Sequence, residues 1–112
     1  MSGKVIHVLS GAPYDLYIGR AMPRYGLTES PYANPFKVGK HGDLVTALAR
    51  YEDHQREIFE EYPSALVNVQ EMIRRGITLA CWCAPRDGTP LKPGDEEICH
   101  GQVLLRLAKE LA

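Results

Sequence analysis

The sequence predicts an α/β fold: one compact domain over residues 1–112, with a small, at least partly parallel sheet and about three helices. Three observations carry this. A short apolar run rich in β-branched residues opens the chain, and another occupies residues 77–83. Two segments between them, and one after them, repeat their apolar residues at three- and four-residue spacing. Helices that connect strands bring parallel neighbours together in layered α/β folds.

"KVIHVL" gives a strand at about residues 4–9, ended by the turn signals of "SGAP". "YDLYIG" gives a second at 14–19, close enough to the first to be its hairpin partner or a neighbour reached by a tight turn. From Arg20 to Gly42 the chain holds Met22-Pro23, Ser30-Pro31 and Asn34-Pro35, and a residue before proline is biased away from helix. This is a long loop, and the rings of Tyr25, Tyr32 and Phe36 favour an ordered, functional one.

Asp43 is a suitable N-cap for a helix whose apolar residues run Leu44, Ala47, Leu48, Tyr51, Ile58, Phe59 and Tyr62 before Pro63 stops it. A second helix takes Ser64 as cap, has Leu66, Val69 or Met72 and Ile73 as its buried stripe, carries Arg74 and Arg75 in its last turn and stops at Gly76. "ITLACWC" is a buried strand on which Ile77, Leu79, Cys81 and Cys83 share one face. The closing helix, "HGQVLLRLAKELA", aligns Val103, Leu104, Leu107 and Leu111. There is no internal repeat and no domain boundary.

A chain of 112 residues buries a core of its own, so a bound metal is not required for folding. With 45% hydrophobic and 24% charged residues and no apolar run near the roughly 20 of a membrane helix, a soluble protein without a membrane partner is expected. The first residues lack the pattern of a secretion signal, which predicts a cytoplasmic location. The net charge of −1 argues against a surface dedicated to coating nucleic acid, yet the charge is uneven. Residues 1–41 carry +3 and residues 42–112 carry −4. Arg20, Arg24, Lys37 and Lys40 all fall in the Gly/Pro-rich loop, where they can meet a small anion.

All three cysteines lie in "CWCAPRDGTPLKPGDEEICHG", residues 81–101. Cys83 ends a strand, and Cys99 with His100 starts a helix, at the edge where open α/β sheets commonly bind ligands. Three readings stay open. Cys81, Cys83, Cys99 and His100 form a Cys₃His set of the kind that suits zinc, although Cys-x-Cys is a tight spacing. Alternatively Cys99 is a catalytic nucleophile favoured by the helix amino terminus, with His100 or a more distant His7, His41 or His54 as base. In the third reading the cysteines are buried hydrophobes and His100 binds backbone or water.

"YIGR" (17–20), "NPF" (34–36), "LACWCAP" (79–85) and "CHGQVL" (99–104), in that order, resemble the small phage and bacterial proteins grouped as domain of unknown function 4326. The resemblance spans nearly the whole chain and implies that Tyr17, Gly19, Arg20, Asn34, Pro35, Phe36, Cys81, Trp82, Cys83, Cys99, His100 and Gly101 match the family pattern. It carries no established activity. This chain departs from the pattern in the long connection "RDGTPLKPGDEEI", which is harmless as an excursion and damaging if it displaces Cys99.

Tyr17, Arg20, Asn34, Phe36 and Lys37 are the candidate ligand-binding residues. The planar guanidinium of Arg20 suits phosphate or carboxylate, against the alternative of a structural pair with Asp15 or Glu29. Asn34 can order a turn through its own side chain, and Phe36 can anchor the loop in the core. His41 and His54 are expected in solvent, "YEDHQREIFEEY" as a charged helix face, and Trp82 under the helices. The function expected is binding of an anionic, nucleotide-like ligand beside the Cys/His site, with nucleotide or nucleic-acid processing as its enzymatic form. A zinc-stabilised binding module, or an interaction protein with buried thiols, is the alternative.

Overall fold

The computed structural model describes residues 3–40, 42–92 and 94–111. His41, named above as a solvated histidine and as a distant base, lies outside them.

Every residue of the strand Thr78–Cys81 is buried, as expected of an apolar run covered on both faces. That strand, β3, stands between β1 (Lys4–His7) and β2 (Leu16–Tyr17), and both neighbours run parallel to it. The register sets His7 beside Cys81 and Tyr17 beside Ala80. The sheet is therefore parallel throughout, and the first two strands are not a hairpin. Asp15 accounts for the difference: its N–H donates to Thr78 O at 2.9 Å and its Oδ2 accepts from Thr78 N at 2.8 Å. Residues 8–15 thus carry the chain to the far side of β3 instead of folding it back on β1.

Helix α1 (Leu44–Glu61) starts where Asp43 Oδ1 accepts from Thr46 N at 2.8 Å. Helix α2 (Pro63–Arg74) begins one residue before the Ser64 cap read from the sequence, with Tyr62 as N-cap. Proline at a first helical position sacrifices no bond, because that N–H has no intrahelical partner. Helix α3 (His100–Glu110) is buried over most of its circumference, between β1 and β3 on one side and α1 and α2 on the other. Gly101 permits that approach. A Cβ there would stand 2.8 Å from Ile18 Cδ1 and 2.9 Å from Val5 Cγ2.

The long connection between β3 and α3 is tied to the sheet rather than left as an excursion. Leu91 N donates to Val5 O at 2.8 Å, and Val5 N donates to Leu91 O at 2.9 Å. Leu91 is itself buried in the core with Val5 and Leu79. Before α3 the chain is gathered by Gln102, whose Oε1 accepts from Ile98 N and Cys99 N and whose Nε2 donates to Glu96 O. The insertion therefore leaves Cys99 in place. Among the described residues no helix is long and apolar enough to cross a membrane.

Candidate thiol and imidazole site beside a basic cleft

β3 ends at Cys81, the chain leaves it through Trp82 and Cys83, and Cys99 and His100 begin α3. The three thiols thus come together at the carboxyl edge of the parallel sheet, with His100 next to Cys83 and Cys99. Cys81 Sγ lies 3.3 Å from Cys83 Sγ and 2.6 Å from Cys99 Sγ. Cys83 and Cys99, with Cα atoms 5.2 Å apart, also bring their sulfurs into disulfide reach. The three thiols can hold a metal ion, or close one disulfide and leave Cys81 free. Cys81 and Cys99 are fully buried, whereas Cys83 is exposed.

His100 Nε2 lies 2.7 Å from Ile18 O, and because a carbonyl only accepts, Nε2 carries the hydrogen and donates it. Nδ1 keeps its lone pair, 3.5 Å from Cys83 Sγ and 3.9 Å from Cys99 Sγ. Nε2 is thus tied to a backbone carbonyl while Nδ1 faces two of the three sulfurs; the sulfurs alone lie within 4.8 Å of one another, and His100 stands beside that group. The sulfur–nitrogen separations sit near the roughly 3.6 Å edge that zinc bond lengths give a tetrahedron. The sulfurs stand closer than the corresponding edge of about 3.8 Å, so an ion would part them. Tyr51 packs edge-on against the imidazole at 5.2 Å. Burial, then the nearby positive charge of Arg20, outweighs the Ile18 bond and pushes the His100 pKa down to about 4, so the ring is neutral near pH 7. Burial pushes the Cys81 thiol up to about 11. Ionising it near neutral pH requires positive charge inside the cluster.

The loop after β2 is fastened to the same edge. Tyr17 Oη donates to Arg20 O at 2.5 Å and accepts from Trp82 Nε1 at 2.7 Å. The Arg20 guanidinium donates through Nε and Nη2 to Asn34 O, at 3.2 and 3.0 Å, and not to Asp15 or Glu29. Asn34 Oδ1 accepts from Phe36 N at 2.9 Å, which is the turn-ordering role its position before proline implies. The "YIGR" and "NPF" segments are thereby one bonded unit.

A cleft of about 560 Å³ opens between this unit and the cysteines. Arg20, Asn34, Phe36 and Lys37 line one side, with Cys83 and His100 on the other, so the structure brings six of the singled-out residues to one cavity. Tyr17 is not in its lining and acts from behind, on Arg20 and Trp82. Cys99 and Lys40 do not line it either. Trp82, expected under the helices, lines the cleft and packs against His7 and Tyr25 at 5.5 and 5.4 Å. Sequence reasoning passed over Met22, Leu44, Leu48 and Ile98, which give the cleft its apolar portion. Leu44 and Leu48 sit on α1, where their spacing signals only burial. His54, expected in solvent, packs edge-on against Phe36 at 5.9 Å and lines a second cleft of about 520 Å³.

The fold and site define a small α/β protein with a thiol–imidazole cluster at the carboxyl edge of a three-stranded parallel sheet. The chain belongs to the family described as Domain of unknown function (DUF4326), whose pattern it matches over residues 7–110. Comparison with curated proteins and with solved structures finds no match.

Proposed function

We propose that the chain binds a small anionic, nucleotide-like ligand in the cleft, beside a zinc ion held by Cys81, Cys83, Cys99 and His100. The observation that carries this is a single cavity shared by two cations, Arg20 and Lys37, two aromatic side chains, Phe36 and Trp82, and the exposed end of the cysteine cluster. Cations suit phosphate, the aromatic faces suit a base, and the volume lies within the usual range for small-molecule sites. Zinc, when bound, supplies positive charge that keeps the thiols ionised and fixes the chain around them. Four protein ligands leave no open position, so the ion orders the cleft wall and the chain acts as a binding protein. Cys99 and His100 then serve as ligands, not as nucleophile and base.

The approach of Cys83 and Cys99 favours a second reading, a reactive thiol pair with His100 beside it. Elemental analysis of tag-free protein purified without chelator, with free thiols counted in parallel, separates the two. About one zinc per chain with slow-reacting thiols supports the first reading; no metal and one fast-reacting thiol supports the second. Calorimetric titration with a panel of nucleotides tests the ligand. Binding that weakens in Arg20→Ala supports it, and no binding in the unaltered protein removes it.

A further inference from the structure

The second cleft shares Arg20, Asn34 and Lys37 with the first. These residues line both cavities, and the two cavities differ in chemistry. The first offers Trp82 and Phe36 and an apolar wall. The second offers Glu29, Ser30 and His54, with Pro31 and Pro35 beside them. The Arg20 guanidinium gives Nε and Nη2 to Asn34 O, and among the described residues no acceptor occupies the two N–H groups of Nη1.

We infer that the ligand is a nucleoside diphosphate whose distal phosphate carries a further polar group such as a sugar, its diphosphate against these shared residues, its base in the first cleft and its polar group in the second. The inference rests on the nucleotide-like reading of the first cleft and adds the substrate class. A pyrophosphate spans cationic side chains that a single phosphate reaches only in part, and Arg20 can meet it with the guanidinium edge that Asn34 leaves unused. In the second cleft the Glu29 carboxylate can accept from vicinal hydroxyls, the Ser30 hydroxyl can exchange hydrogen bonds with them, and the His54 ring offers a further polar edge. An apolar group would gain little there. The pairing of an aromatic pocket with a polar one, across shared cations, matches a ligand that is aromatic at one end, doubly anionic in the middle and hydroxylated at the other.

The test compares ADP with ADP-ribose, and UDP with UDP-glucose, by titration calorimetry on the full chain as purified. The expected result is that at least one glycosylated diphosphate binds about ten-fold or more tightly than its parent diphosphate, a difference of about 1.4 kcal/mol. In Glu29→Ala that ratio falls toward one. Glu29 is an exposed loop residue, and far-ultraviolet circular dichroism verifies that the variant is folded; Ser30→Ala provides a second, independent change. Parent diphosphates that bind while neither sugar adds affinity overturn the inference and leave the first cleft's reading standing. A gain that survives both substitutions also overturns it. If none of the four compounds binds, the nucleotide-like reading falls and takes this inference with it.

Discussion

His100 shows how one side chain is shared between fold and site. Its Nε2–H is committed to Ile18 O, which fixes the tautomer and aims the Nδ1 lone pair at the sulfurs. On the zinc reading proposed above, replacing it with glutamine or alanine removes a ligand and is expected to weaken zinc binding by about ten-fold or more, read by competition with a chromogenic chelator. Cys83→Ser is the cleaner probe of the cluster, because residue 83 is exposed and the core does not depend on it. Zinc affinity is expected to fall while near-native circular dichroism persists, and a variant retaining full zinc content would show that Cys83 is not a ligand. Arg20→Ala removes charge from the cleft and also the two bonds to Asn34 O, so a loss of about ten-fold or more in nucleotide affinity is expected. Much of this was legible in the sequence as residue types. What could not be read was direction: Arg20 was open to pairing with Asp15 or Glu29, and only the folded loop turns it to a backbone carbonyl. Cys81 and Cys83 alternate correctly for a strand, but the strand ends at Cys81 and the turn after it is what exposes Cys83.

At the scale of elements, α3 is the piece on which the others converge, and at Gly101 it comes close against Val5 and Ile18. Gly101→Ala forces a methyl group against Ile18 and Val5 and is expected to destabilise the fold by about 1–3 kcal/mol, seen as a lower urea midpoint. On α1 the side-chain Nε2 of Gln55 is buried without a hydrogen-bond partner among the described residues. Gln55→Met keeps the length, removes that group, and is expected to raise stability by about 1 kcal/mol. The polar faces of α1 and α3 are joined where Arg106 meets Glu52 and Glu97. The Arg106 hydrogen bond holds the Glu52 carboxyl below its ordinary value of 4.5. A lowered folded-state value means that this stabilisation is present above about pH 4.5 and is lost as pH falls through the depressed value. Glu52→Gln should therefore flatten that part of an acid-unfolding profile. The periodicity of all three helices was plain from apolar spacing. The order of the strands was not, because nothing in "YDLYIG" distinguishes a hairpin partner from a parallel neighbour until Asp15 is seen bonded to Thr78.

For the whole molecule, the core comes from β1, β3 and all three helices and does not pass through the cysteine cluster alone. If the cluster holds zinc as proposed, chelation is expected to lower the melting temperature by several degrees while leaving one cooperative transition, in contrast to small domains that unfold without their metal. Hydrogen exchange should quicken first around Trp82, Cys83 and the turn into α3. The paired main-chain bonds between Leu91 and Val5 have a consequence of another kind. β1 would otherwise present an outer row of unpaired N–H and C=O groups, the template on which a second chain can add a strand and begin an aggregate. The connection that lengthens this chain between its thiols also shields that edge. Leu91→Pro deletes the N–H bonded to Val5 O and also takes a side chain from the core, so a lower urea midpoint is expected together with greater light scattering on storage at high concentration. A stretch that reads in the sequence as an interruption between the cysteines thus occupies main-chain groups at the open edge of the sheet.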